Sequence, residues 1–140
     1  MKIAVIGAGA IGNLVAGYLK LKGEDVYLVG HGEAVGAISK NGLSISGCRG
    51  DFKVDISIYD MLVSKPELLI LATKTQDIEQ ALKNNLSLIK GTLILTTQNG
   101  LAAERIVSGF VPKENILSSI VMFGATYLEA GKVIHNFEGN

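Results

Sequence analysis

The sequence is poor in cysteine, has no excess of charge of either sign and contains no long apolar run. Cys48 is its single cysteine, which excludes an intramolecular disulfide and favours a cytoplasmic location. Thirteen basic residues balance thirteen acidic ones, so neither a nucleic acid nor an anionic membrane is an expected partner. No stretch approaches the roughly 18 consecutive apolar residues of a membrane span.

Common hydrolase and metal-binding motifs are also missing. The chain has no HExxH motif, no cysteine cluster and no Ser/His/Asp arrangement, so we expect neither a hydrolytic nor a metal site. His135 is expected to be structural or exposed. Lys2 and the apolar stretch after it resemble a secretory signal, but three glycines and Asn13 interrupt the continuous apolar helix that a signal requires.

Short apolar runs alternate with helical patterns, which predicts an α/β fold with a mainly parallel sheet and a single domain over residues 1–140. The strands are predicted at residues 2–6, 25–29, 68–73, 92–97 and 116–123. The helices are predicted at residues 10–22, 33–40, 77–86 and 101–108, with Gly23 ending the first and Asp77 as the N-cap of the third.

Two segments alternate apolar and polar residues instead. Residues 43–59 do so around a turn at 47–51, which predicts an antiparallel hairpin inserted in the parallel fold. A weaker pattern of the same kind surrounds Ala130 and Gly131, with residues 132–136 as the return strand.

Residues 7–12 read Gly-Ala-Gly-Ala-Ile-Gly and stand between the first strand and the first helix. In that context a GxGxxG pattern predicts the dinucleotide-binding turn of a Rossmann-type, doubly wound domain. Gly7 allows the tight turn, Gly9 lets a pyrophosphate approach the backbone, and Gly12 lets the helix pack close to the sheet. The N–H groups of the first helical turn attract a phosphate without a basic side chain.

Ligands of such sheets bind at the carboxyl ends of the strands, near the switch point of the strand order. Lys74 is the only lysine or arginine in the loops there. A carboxylate at the end of the second strand is typical of NAD sites, and a basic group there of NADP sites. This chain has Gly30 and His31 at that place, and Glu33 lies beyond the turn. We therefore favour NADP, with NAD as the alternative.

Several segments together resemble one family, the ketopantoate reductases (2-dehydropantoate 2-reductases). The similarity covers the whole chain and includes the glycine motif, Ala-Thr-Lys-Thr-Gln at 72–76, Gln-Asn-Gly-Leu at 98–101, Gly-Ala-Thr at 124–126 and Gly-Lys-Val-Ile-His at 131–135. Members reduce ketopantoate to pantoate with NADPH, a step toward pantothenate and coenzyme A.

The resemblance implies a role for individual residues. Lys74 and Asn99 are expected near the cofactor riboses and nicotinamide, and Asn99 is expected to reach the substrate as the catalytic-site residue of this chain. The cofactor-binding residues are expected to be Gly7, Ala8, Gly9, Ala10, Ile11, Gly12, His31, Thr73, Lys74, Gln76, Asn99 and Gly100. The family commonly has arginine at the position of His31, so this chain departs from the family there, and NAD stays the alternative cofactor.

In the family, a second, helical domain supplies the lysine that acts as general acid and the residues that hold the substrate. The chain reaches Asn140 without them, so we expect it to bind cofactor but to turn over a keto acid poorly by itself. Alternatives are the cofactor domain of another two-domain dehydrogenase and a nucleotide-sensing regulatory module. Self-association is expected if apolar surface remains exposed.

Overall fold

The computed structural model describes residues 1–98 and 100–139, and Asn99, the predicted catalytic-site residue, lies outside these ranges. Within them the chain forms ten strands and four α-helices. In chain order the elements are β1 (Lys2–Ile6), α1 (Ala10–Leu21), β2 (Asp25–Val29), α2 (Glu33–Asn41), β3 (Leu43–Gly47), β4 (Phe52–Val54), β5 (Ile58–Tyr59), β6 (Leu68–Leu71), α3 (Thr75–Asn84), β7 (Leu93–Thr96), α4 (Leu101–Val107), β8 (Ile116–Ser118), β9 (Gly124–Glu129) and β10 (Lys132–Phe137).

The large sheet is parallel throughout and has the strand order β5-β2-β1-β6-β7-β8. Its central strands are continuous apolar runs because both faces are covered by other elements. Val5 of β1 packs in one core with Leu14 of α1, whereas Ala4 packs in the other with Ile78 of α3. The predicted α/β, doubly wound fold is confirmed.

The small sheet has the order β4-β3-β10-β9 and joins the two predicted hairpins. Strands β3 and β4 pair antiparallel, as do β9 and β10, while β3 and β10 pair parallel across the middle. Helix α1 lies between this sheet and β2 of the large sheet. Its Gly17 allows the approach, since a Cβ there would lie 2.4 Å from Ile45 Cδ1.

The predicted strands at 68–73 and 92–97 are each two residues longer than β6 and β7, and two other predicted segments differ more. The hairpin at 43–59 ends at Val54, and Ile58 then pairs with Leu28 as an edge strand of the large sheet, where its side chain is buried. The strand at 116–123 ends at Ser118 because its parallel neighbour ends at Thr96, directly opposite.

The predicted helix at 77–86 was also displaced, and Asp77 is not its N-cap. The helix begins at Thr75, with Lys74 at the cap position. The Asp77 N–H donates to the Lys74 carbonyl oxygen at 2.9 Å, so Asp77 lies within the first turn. Its carboxylate interacts favourably there with the positive end of the helix dipole. Over the described ranges, no helix has the length and apolar character required to cross a bilayer.

Candidate functional site

The turn between β1 and α1 packs too closely for side chains at two of its three motif glycines. Gly7 has a φ of +118° and donates its N–H to the Val29 carbonyl oxygen at 2.9 Å. A Cβ on Gly7 would lie 2.6 Å from the Ala72 carbonyl, and one on Gly12 would lie 1.7 Å from the Gly7 carbonyl oxygen. The packing of α1 against the sheet therefore requires both glycines.

Gly9 differs from its two neighbours in the motif. Its φ of −93° and ψ of −159° suit any residue, and a Cβ built on it meets no described atom within 4 Å. The protein interior gives no reason for glycine there. The space that a side chain would fill is open to a ligand, and this is the space that a pyrophosphate occupies in dinucleotide-binding turns.

The start of α1 presents backbone donors toward that space. Gly9 holds the N-cap position, with no side-chain hydrogen bond to the cap in the part of the chain that is described. The first intrahelical hydrogen bond runs from the Asn13 N–H to the Gly9 carbonyl oxygen at 3.0 Å. The N–H groups of Ala10, Ile11 and Gly12 precede it and have no carbonyl partner within the helix. These donors and the helix dipole suit a phosphate group.

Ala8 links this turn to the loop after β2. The Asn13 side-chain amide donates to the Ala8 carbonyl oxygen at 3.2 Å, and a Cβ on Gly30 would lie 2.8 Å from the Ala8 Cβ. His31 follows on an exposed turn, and Glu33 is exposed in the first turn of α2. The loop itself thus carries an imidazole and no carboxylate.

The loop after β6 is short and leads directly into α3. Thr73 is half-buried, and its Oγ1 is buried without a hydrogen-bond partner among the described residues. Lys74 is exposed at the N-cap position, and Gln76 is exposed in the first helical turn. A hydroxyl, an ammonium and an amide are therefore grouped at a second helix N-terminus beside the glycine turn.

Gln98, in the loop after β7, is a residue whose structural role the sequence interpretation missed. Its amide Nε2 donates to the Thr73 carbonyl oxygen at 2.6 Å and to the Leu71 carbonyl oxygen at 3.2 Å. Gly100 is exposed with a φ of +99° and precedes α4. The only signal in the sequence was a polar amide directly after an apolar strand.

These loops lie side by side at the carboxyl ends of the strands of the large sheet. Gly7 touches Ala72, Ala8 touches Gly30, and Gln98 bonds to Thr73, so contacts run from the end of β2 to the end of β7. The strand order reverses between β1 and β6, which is where doubly wound sheets bind their ligands. His135 lies elsewhere, buried in the small sheet.

The parallel sheet, the reversal of strand order and the glycine turn at the reversal define a Rossmann-type domain, a class of fold that commonly binds dinucleotides. Residues 3–140 match the family model described as ketopantoate reductase PanE/ApbA. The chain belongs to this family, as its sequence motifs predicted.

Curated relatives and solved structures agree with this assignment. The chain is 42% identical over 105 residues to the 2-dehydropantoate 2-reductase of Pyrococcus abyssi, a match that covers 74% of this chain and 35% of that protein. It matches the crystal structure of 2-dehydropantoate 2-reductase from Geobacter metallireducens GS-15 with a TM-score of 0.90 and 28% identity, over 99% of this chain and 47% of the other.

A D-mandelate dehydrogenase, solved as a ternary structure with NADH and anilino(oxo)acetate, is also similar. The TM-score is 0.92 and the identity 33%, over 99% of this chain and 46% of that chain. In these three comparisons the chain spans between 35% and 47% of the length of the protein that it matches.

Proposed function

We propose that this chain binds NADP(H) in the loops at the carboxyl ends of the strands of the large sheet, and that the bound cofactor is used to reduce a 2-keto acid. The observation that carries the proposal is Gly9. Its missing side chain leaves open space beside the first N–H groups of α1, which have no acceptor within the helix, while Gly7 and Gly12 on either side are closely packed. A bound nicotinamide supplies hydride, and the residues of this chain hold and orient the dinucleotide.

Ketopantoate is the proposed substrate, because the family and the curated relatives are ketopantoate or 2-dehydropantoate reductases. A second candidate, an aryl-substituted 2-keto acid, is favoured by the similarity to a D-mandelate dehydrogenase. Both reactions transfer a hydride to the carbonyl carbon of a 2-keto acid and need a proton for its oxygen. In either case we propose that Asn99 positions the substrate and that the proton donor lies outside these 140 residues.

The first test substitutes Gly9 by alanine. The Gly9→Ala side chain enters open space in the free protein but collides with a bound pyrophosphate, so NADPH should bind about tenfold more weakly or worse. The free energy of unfolding should fall by only about 0.5 kcal/mol, since alanine is a poorer N-cap than glycine. Because the chain has no tryptophan, NADPH fluorescence reports binding without interference from indole emission.

Gly36→Ala is the matched control. Gly36 lies within α2, and a Cβ there also meets no described atom within 4 Å. This variant should bind NADPH like the wild type and unfold at a slightly higher temperature, because alanine favours helix. Equal affinities for Gly9→Ala and the wild type would contradict the proposed phosphate position.

The cofactor preference is tested by titrating NADPH and NADH in parallel. We propose tighter binding of NADPH, because the loop after β2 offers His31 and no carboxylate to a ribose bearing a 2′-phosphate. The D-mandelate dehydrogenase structure was solved with NADH, so NADH is titrated as the alternative cofactor. NADH affinity equal to or above that of NADPH would overturn this part of the proposal.

The substrate proposal is tested by comparing ketopantoate with benzoylformate, the keto acid that corresponds to mandelate. With NADPH present, the 140-residue chain should turn over ketopantoate slowly or not at all, since a positioned proton donor contributes about 10² to 10⁴-fold. Substantial turnover of ketopantoate by this chain would show that the proton donor lies within it. Faster reduction of benzoylformate would favour the second candidate.

A further inference from the structure

Gln98 connects the loop after β7 with the loop after β6 through a single side-chain amide. Its Nε2 donates to the Thr73 carbonyl oxygen at 2.6 Å and to the Leu71 carbonyl oxygen at 3.2 Å. The Thr97 hydroxyl donates a hydrogen bond to the same Leu71 oxygen at 2.8 Å. The Leu71 contacts extend the pairing of β6 and β7 beyond the strand ends. The Thr73 contact is different, because it reaches into the loop that leads to α3.

Thr73 occupies a sensitive position in that loop. It directly precedes Lys74, the N-cap residue of α3, and directly follows Ala72, whose carbonyl lies against Gly7. A displacement of the Thr73 carbonyl would therefore change both the position of Lys74 and the distance from this loop to the glycine turn. Among the described side chains, that of Gln98 is the one that hydrogen-bonds to this carbonyl.

In doubly wound domains the residue that reads the adenine ribose stands at the end of the second strand. A dinucleotide with its pyrophosphate at the glycine turn would therefore have its nicotinamide half on the other side of the turn, toward the loops after β6 and β7. Gln98, Thr73 and Lys74 all belong to this second side.

We propose that Gln98 is a positioning residue for the nicotinamide half of the dinucleotide. It acts by holding the Thr73 carbonyl, and through it Lys74 and the Ala72 contact with the glycine turn. This inference rests on the proposed dinucleotide binding. Loss of the Gln98 amide donor should therefore weaken the binding of the whole dinucleotide and leave the binding of its adenine half unchanged.

The test uses the 140-residue chain with Gln98→Glu and Gln98→Met, which keep the length of the side chain and remove the amide donor. Gln80→Glu and Gln80→Met are the matched controls. The Gln80 side-chain amide also donates a hydrogen bond, to Asn84 Oδ1 at 2.7 Å, but this bond is exposed and lies within α3. Isothermal titration calorimetry measures two ligands: whichever of NADPH and NADH binds the wild type more tightly, and its adenine half, 2′,5′-ADP or AMP. Far-UV circular dichroism checks that each variant folds. If Gln98→Glu does not fold, the test rests on Gln98→Met.

The expected result is an approximately tenfold loss of affinity for the dinucleotide in both Gln98 variants, the size of one lost hydrogen-bond restraint. The affinity for the adenine half should change less than twofold, and the Gln80 variants should change neither affinity. Equal losses for both ligands would indicate a general structural role and overturn the inference, as would no loss at all. If the wild type binds neither NADPH nor NADH, the proposed function fails, and the inference fails with it.

Discussion

The two ends of helix α1 are built in contrasting ways. At its N-terminus, Gly12 packs against backbone while Gly9 faces open space and the first N–H groups lack helix partners. At its C-terminus, the Gly23 N–H donates to the Lys20 carbonyl oxygen at 3.0 Å, and the Glu24 N–H to that of Leu19 at 3.1 Å. These two backbone hydrogen bonds form a Schellman motif, which ends the helix and satisfies two of its last carbonyl groups. The C-terminal end is completed by hydrogen bonds within the chain, whereas the first N–H groups at the N-terminal end have no acceptor in the helix.

The side chains near the C-terminal half of α1 are likewise paired. Tyr18 Oη and His135 Nδ1 are joined by a hydrogen bond of 2.8 Å, and the Arg49 guanidinium lies over the Tyr18 ring at 5.3 Å from its centroid. Arg49 is also paired with Glu138. These contacts fasten the small sheet to the helix. The C-terminal half of α1 is thus held by contacts with the small sheet, whereas its N-terminus presents backbone donors that have no acceptor in the helix.

The largest expected effect comes from Gly12→Ala. Its Cβ would lie 1.7 Å from a backbone oxygen, and backbone yields less easily than a side-chain end. We expect a loss of about 3 kcal/mol or more in the free energy of unfolding, together with loss of dinucleotide binding. Urea denaturation measures the first effect and NADPH titration the second. A midpoint equal to that of Gly36→Ala would contradict the close packing at this end of α1.

A smaller effect is expected from Gly17→Ala, in the C-terminal half of α1. Its Cβ would meet the ends of the Ile45 and Leu43 side chains at 2.4 and 3.1 Å, which can move with the small sheet. We expect destabilisation by about 1–3 kcal/mol, with the dinucleotide affinity within twofold of the wild type. The same two measurements apply. An affinity that falls along with stability would show that the two ends of the helix are coupled.

The smallest effect is expected from Tyr18→Phe, which removes the hydrogen bond to His135. The cost should be about 1 kcal/mol near neutral pH, with no change in dinucleotide affinity. Burial raises the pKa of the Tyr18 hydroxyl, against the opposing charge of Arg49. The folded state therefore retains the phenolic proton longer than the unfolded state, and the stability that this provides is lost as the pH rises above about 10.

Thermal unfolding of the wild type and Tyr18→Phe between pH 7 and 11 checks this expectation. The difference in melting temperature should be constant at neutral pH and shrink at the alkaline end. A difference that grows with pH would contradict burial as the cause of the shift.

Some of the fold and the site followed from local sequence patterns, and some did not. The bounds of β1 and β2 were predicted without error because a continuous apolar run carries its own signal. The length of β8 was wrong, since a parallel strand ends where its neighbour ends, and that neighbour lies elsewhere in the chain. Asp77 is a good N-cap residue by type, but the loop after β6 is too short to place it there.

At the site, the glycine turn and the loops at the strand ends were predictable, whereas the tie between the loops was not. The Gln98 bond to Thr73 joins positions 25 residues apart, and its geometry depends on the pairing of β6 with β7. The roles of Asn99, Lys74 and His31 toward a ligand stay predictions, with Asn99 outside the described residues.

By itself, the sequence determined the order of strands and helices, the dinucleotide-type turn and the family, because each depends on short-range patterns of apolar residues and glycine. Only the tertiary structure decided that β3 and β10, some 90 positions apart, pair in parallel and place a second sheet on α1. For Gly9, which the motif had already distinguished from Gly7 and Gly12, the tertiary structure added that a Cβ there meets no described atom within 4 Å. Packing between distant segments sets the pairing of β3 with β10, and no local pattern in the sequence indicates that pairing.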